Sequence, residues 1–299
     1  MAGLSDSVLR DDQPLGAPWI HGHRRGEPDR DPVLQVRAVD EATYVIRQSK
    51  SVTFEAPFLY LILGSERALL LDTGAVRSAD VCPVRRCVDD LLPAGLPLVV
   101  AHTHGHGDHV AGDEQFAGRP ATTVVGRDLA AARAAWGFSR WPDEVVTFDL
   151  GGRVLEVTGI PGHQESAIAV FDPRTGVLLP GDSVYPGRLY APDAGLFAAS
   201  TERLVAFAEQ RPVTQVLGCH IELGRGGVEY PTGTRYQPDE VPLPMSMEDL
   251  IAVRDGVRRA AGRPGVHDVG PARLWNGPCY PALARQAAQL AWGRLLGYR

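Results

Sequence analysis

Short apolar runs, each cut off by glycine, proline or aspartate, set the texture of this chain. "PFLYLILG" and "RALLLDTG" are two such runs joined through "GSER", and they predict a hairpin of buried strands. "LPLVVAHTH", "EVVTF", "RVLEVTGI", "SAIAVFD", "GVLLPGD" and "TQVLGCH" read as further short strands. Helical spacing falls between them. "SADVCPVRRCVDDLL" predicts a helix with Pro83 near its start, "GRDLAAARAAWG" one that closes at Gly137, and "STERLVAFAEQ" one that opens on its Ser/Thr pair. Two more helices are expected in the tail, in "MSMEDLIAVRDGVRRAAG" and "YPALARQAAQLAWGRLLG". Interleaved strands and helices make the class α/β or α+β.

Residues 1–32 are polar and carry Pro14, Pro18, Pro28 and Pro32, which predicts a flexible arm or an extended wrap. The expected organisation is that arm, a catalytic domain over 33–240, and a helical extension over 241–299 packed on the same domain. The 299 residues suffice for a full core. A net charge of −6, with no block of like charge, gives nucleic acid no obvious foothold. No apolar h-region marks the first thirty residues, and no run is long enough to cross a bilayer, so the expected setting is cytoplasmic and the expected partner a small molecule. Cys82, Cys87, Cys219 and Cys279 form no CxxC pair and are expected as reduced, structural thiols. Lys50 is the only lysine, and the sequence assigns it no role.

"THGHGDH", residues 103–109, changes the picture. It places three of the nine histidines and an aspartate in seven residues. In extended backbone, residues two apart point the same way, so His104 and His106 can reach one ion. Asp108 and His109 can turn toward a second point. Imidazole and carboxylate are good ligands for zinc and similar divalent ions. Downstream, His163 in "GIPGHQES", Asp182 in "LLPGDS" and His220 in "VLGCHIE" each follow an apolar strand. A lone histidine there is usually structural; three candidates of ligand type at three strand ends, after HxHxDH, are much harder to dismiss.

The order "LLLDTG", "THGHGDH", "PGHQ", "PGDS", "GCHIE" resembles the metallo-β-lactamase superfamily. The resemblance implies a four-layer αβ/βα sandwich with two divalent ions at one edge, zinc first, with iron or manganese as alternatives. One ion would take His104, His106 and His163. The other would take Asp108, His109 and His220. Asp182 would bridge them, and Asp72 would support a ligand histidine from behind. Two such ions share a hydroxide that attacks an acyl carbon, so the implied activity is hydrolysis of a small ester, thioester or lactone. Asp182 disfavours the true β-lactamases, which generally lack it. The acidic balance disfavours the RNA-processing members. The persulfide dioxygenases, which use a single iron, are the runner-up, and a non-catalytic metal module is the bland alternative. Tyr185, three residues past Asp182, is the expected oxyanion donor, with Tyr190 a weaker candidate.

Overall fold

The two apolar runs before Asp72 do pair. In the computed structural model, which describes residues 8–260 and 262–295, Tyr60 lies opposite Leu71 in an antiparallel hairpin. The first sheet runs in chain order: β1 (Val8–Arg10), β2 (Leu34–Asp40), β3 (Thr43–Gln48), β4 (Phe58–Leu63), β5 (Ala68–Leu71), β6 (Leu98–Ala101) and β7 (Thr122–Val124). The second holds β8 (Val145–Asp149), β9 (Val154–Gly159), β10 (Ile168–Asp172), β11 (Val177–Leu179) and β13 (Gln215–Val216), in the order β13-β11-β10-β9-β8. β12 (Arg188–Ala191) belongs to a third, smaller sheet.

Why the strands are apolar on both faces follows from their layers. Phe58, Tyr60 and Ile62 of β4 enter the core between the sheets, where they meet Leu155, Val157, Ile168 and Val170. Leu59, Leu61 and Leu63, on the other face, pack under α1 (Val84–Asp89). A strand covered twice reads as a continuous apolar run rather than an alternation. The second sheet is covered in the same way. Phe171 and Leu178 pack against Phe197, Leu204 and Val205 of α4 (Ala194–Glu209) and Leu250 and Val253 of α5 (Met247–Ala260). Helix, sheet, sheet, helix is the four-layer arrangement expected. Among the described residues no helix is long and apolar enough to cross a membrane.

Two helix starts differ in how well the sequence marks them. α3 (Leu129–Trp136) is capped by the Asp128 side chain, which accepts from the Ala131 N–H, and closed by Gly137 at φ +83°. α4 begins at Ala194, with Asp193 as its cap, and not at the Ser/Thr pair. Ser200 and Thr201 lie inside it because each hydroxyl finds a backbone acceptor, Pro161 at 2.5 Å and Ala198 at 2.9 Å.

The tail corrects the all-helical expectation. Between α5 and α6 (Tyr280–Leu295) lie β14 (Gly265–Asp268) and β15 (Arg273–Asn276), an antiparallel pair. β15 also pairs in parallel with β12, setting Arg188 beside Arg273 and Tyr190 beside Trp275. Four-residue strands carry too little periodicity to be seen in sequence. At the other end, Leu15, Trp19 and Ile20 are buried, and the Arg37 guanidinium stacks 4.2 Å over the Trp19 ring while donating to the Ala17 and Pro18 carbonyls.

Candidate metal centre

Every predicted ligand sits where a strand stops. β6 ends at Ala101 and the chain runs through His104 and His106 into the single-turn helix α2 (Gly107–Val110), which carries Asp108. His163 follows β9, Asp182 sits in a short turn after β11, and His220 follows β13. The backbone is shaped for this. Gly181 has φ +57°, and a Cβ there would stand 2.8 Å from the Cβ of Thr103, so only glycine lets the Asp182 turn approach the histidine loop. Asp72, just after β5, is held at φ +71°, a conformation L residues seldom adopt.

The structure brings all seven predicted ligands together, in two groups. His104, His106 and His163 form one; Asp108, His109, Asp182 and His220 form the other. In the first, the Nδ1 of His106 lies 3.0 Å from the Nε2 of His104 and 3.0 Å from the Nε2 of His163. In the second, Asp108 Oδ2 lies 3.5 Å from His109 Nε2 and 3.4 Å from His220 Nε2. Asp182 faces both groups. Its Oδ2 is 4.0 Å from His104 Nε2, 3.7 Å from His163 Nε2 and 3.4 Å from His109 Nε2, while Oδ1 is 3.4 Å from His220 Nε2.

The outer ring nitrogens show how the inner ones are aimed. His163 Nδ1 lies 3.0 Å from the Tyr190 carbonyl, His220 Nδ1 3.1 Å from the Glu55 carbonyl, and His109 Nδ1 2.9 Å from Asp72 Oδ2. Each partner only accepts, so each Nδ1 carries a ring proton and Nε2 is the atom left to meet a cation. Asp72 is itself held by Thr103, whose N–H and hydroxyl donate at 2.7 and 2.8 Å. Two buried atoms, His109 Nε2 and Asp182 Oδ1, have no hydrogen-bond partner. Converging imidazoles and carboxylates with unpartnered buried atoms are costly unless a cation sits among them, so the residues fit a divalent metal. Cys219 Sγ also approaches Asp72 Oδ2, at 3.4 Å, but Thr103 and His109 already occupy both Asp72 oxygens.

The titration of these groups differs between the two sets. Burial holds His104, His106 and His163 below the ordinary imidazole range, so they stay neutral. Burial pushes His109 and His220 the same way, but the carboxylates of Asp182 and Asp108 outweigh it and hold both above that range. Burial opposes ionisation of Asp182 too, yet His220 and His109 keep its carboxyl well below the usual carboxylate range. Cys82 and Cys87 are buried away from the ligand groups, and burial pushes both thiols up to about 12.

A cavity of about 220 Å³ opens on the centre, lined by Asp108, Asp182 and His220 together with Lys50, Glu55, Tyr185, Arg188, Tyr190 and Glu222. Tyr185 is in this wall, but its single proton is engaged: the hydroxyl donates to the Arg188 carbonyl, with Glu222 Oε2 competing at 3.2 Å. The expected oxyanion donor thus has a backbone partner in this structure. The Tyr190 hydroxyl, in the same cavity wall, accepts from Gln286 Nε2 at 2.7 Å, and no acceptor for its own proton is found among the described hydrogen bonds. Lys50, given no role by the sequence, lines the same cavity and is 1% exposed.

Strand-end ligands on a four-layer sandwich define a class of protein, and the family comparison agrees. Residues 52–220 match the model of the metallo-beta-lactamase superfamily, and the chain belongs to that superfamily. Among relatives, the chain is 28% identical over 145 residues to a hydroxyacylglutathione hydrolase of Rhizobium meliloti (strain 1021), covering 47% of this chain and 56% of that protein. It is 26% identical over 207 residues to the acyl-coenzyme A thioesterase MBLAC2 of Gallus gallus, covering 55% of this chain and 72% of that one. The chain thus spans little more than half the length of the first of these. The solved structure of TMB-1 shares the fold at 15% identity, with a TM-score of 0.52 over 78% of this chain and all of that one.

Proposed function

We propose that this protein is a metal-dependent hydrolase of small ester, thioester or lactone substrates, with two divalent cations, zinc first, held by the two ligand groups. The observation that carries the reading is Asp182, whose two oxygens face the two groups at once. When bound, paired divalent ions supply Lewis acidity toward a carbonyl oxygen and water acidic enough to react near neutral pH. Thioesters stand first among the substrates because the relatives named above are a hydroxyacylglutathione hydrolase and an acyl-coenzyme A thioesterase.

The chain's own residues do the rest. Asp72 keeps the His109 proton at Nδ1 and so keeps Nε2 free. The Glu55 and Tyr190 carbonyls do the same for His220 and His163. The Tyr190 hydroxyl is placed to donate to an oxygen that gains charge in the cavity. Residues 33–240 supply the reactive edge on this reading, and the segment after 240 closes the cavity through Gln286 and Leu290. Elemental analysis of purified protein, followed by turnover of aryl esters, acyl thioesters, γ- and δ-lactones and a chromogenic β-lactam, tests it. About two zinc ions per chain with thioester or ester turnover is the expected result. One iron and no zinc, or turnover of the β-lactam alone, overturns it.

A further inference from the structure

Lys50 is fully buried, lines the cavity that opens on the metal centre, and is the chain's only lysine. Its surroundings leave its charge unspent. Nζ donates one hydrogen bond, to the Phe54 carbonyl at 3.1 Å. The nearest carboxylate, Glu240, is 3.8 Å away and already holds Arg47 through both oxygens, at 2.6 and 2.7 Å. Arg188, the other cation in the cavity wall, has Glu222 at 2.8 Å and Glu229 at 3.8 Å. Among the described residues lining the cavity, Lys50 is therefore the cation without a carboxylate of its own. An ammonium has three donors, so two remain for whatever enters. Burial also works against the bare charge and pushes it down to about 8, a cost that an anion beside it would offset.

The backbone ties this ammonium to the reacting edge. Phe54 and Glu55 are consecutive, and their carbonyls hold Lys50 Nζ and His220 Nδ1 respectively. One short loop thus fixes both the lysine and a ligand histidine. The cavity is small, and its remaining charged walls include Glu55, Glu222, Asp108 and Asp182. One cation without a carboxylate of its own can hold a monoanion, while the carboxylates around it weigh more heavily against a dianionic phosphate.

We propose that Lys50 is a specificity-determining residue that binds a carboxylate on the acyl part of the substrate, so that the preferred substrates are acyl compounds of short dicarboxylic acids. The inference rests on the hydrolase reading for the word substrate, and on the cavity alone for the carboxylate. Hydrolysis of such a thioester breaks the C–S bond and adds water, giving the dicarboxylic acid and a thiol, with no other reactant.

The test has two arms. Phenyl thioesters of succinic, glutaric and adipic acid are compared with those of the corresponding monoamides, on the zinc-loaded protein and on Lys50→Met. The acid should be preferred over its amide by about tenfold to a hundredfold in kcat/KM at one of the three lengths, mainly through KM. In Lys50→Met that ratio should fall to near one. No preference at any length, or a preference that survives in Lys50→Met, overturns the proposal. The second arm needs no turnover. With ¹³C-lysine incorporated, the wild-type chain gives one lysine Cε resonance, because Lys50 is the sole lysine. The dicarboxylate of the preferred length should shift it saturably while its monoamide, which keeps one carboxylate for the metals, does not. Equal response to acid and amide at every length refutes the subsite. If neither thioester is turned over but the resonance answers to the dicarboxylates alone, the hydrolase reading fails and the anion subsite stands.

Discussion

Replacing Asp72 by Asn changes almost no volume and reverses one interaction. One amide oxygen can still accept the Thr103 N–H, now at 2.7 Å. The amide nitrogen then takes the place of Oδ2, facing His109 Nδ1 at 2.9 Å and the Thr103 hydroxyl at 2.8 Å. Donor meets donor at His109. The ring resolves this by moving its proton to Nε2, the atom that faces Asp108 and Asp182. A charge-assisted hydrogen bond of this kind is worth about 1.5–3 kcal/mol. Loss of such a supporting partner lowers metal affinity by about 10- to 100-fold. The loss should fall mainly on the His109 site, since the first group meets Asp72 only through the Thr103 hydroxyl, 3.1 Å from His104 Nδ1. The fold should survive, because Asn tolerates φ +71° better than most residues. Dialysis against buffered free zinc with elemental analysis should show a fall from about two ions to about one, with an unchanged thermal melt for the metal-free chain. A variant that binds its second ion as tightly as wild type would refute the tautomer argument.

Other outcomes follow from the same geometry. Asp182→Ala removes the carboxylate facing both groups and should lower kcat by orders of magnitude; two ions and normal turnover in that variant would contradict the assignment. Tyr190→Phe should lower kcat more than it changes KM, by up to about 2.7–4 kcal/mol if its hydroxyl dominates oxyanion stabilisation. Tyr185→Phe, whose proton is engaged by Arg188, should leave the kcat of an unsubstituted ester within a few-fold; the reverse ranking in steady-state kinetics would exchange the two roles. Because carboxylates hold His109 and His220 above the ordinary imidazole range, the metal-free chain keeps both protonated near neutrality. A cation must displace those protons, so apparent affinity should rise with pH through the neutral range. Calorimetry in buffers of different ionisation enthalpy should register proton release on zinc binding, and proton uptake would refute it.

The reactive edge was legible because its ligands mark themselves: histidines and aspartates crowd one loop or follow apolar strands, where a buried charge has no packing excuse. The strands that bracket them were legible for the same reason, since Leu61 and its neighbours are covered on both faces. What escaped depends on partners distant in sequence. Lys50 is informative only because Glu240, 190 positions on, is already held by Arg47. Tyr185 and Tyr190 look alike in the chain, and their hydroxyls differ through a backbone carbonyl and through Gln286. The third sheet, built from four-residue strands, carries no period of its own.

That third sheet has a consequence for how such a chain can change. β12 presents the Tyr190 carbonyl to His163, and β15 runs beside it with Trp275 against Tyr190, so this part of the tail presses on the wall of the cavity, and none of its described residues belongs to either ligand group. The family match, confined to 52–220, covers the ligands and the Tyr185–Tyr190 part of that wall, and ends before Gln237, Gln286 and Leu290, which complete it. The ligands and the part of the wall added by Gln286 and Leu290 thus lie on different stretches of the chain. Substitutions after residue 240 can alter which molecule is admitted while the chemistry stays as it was.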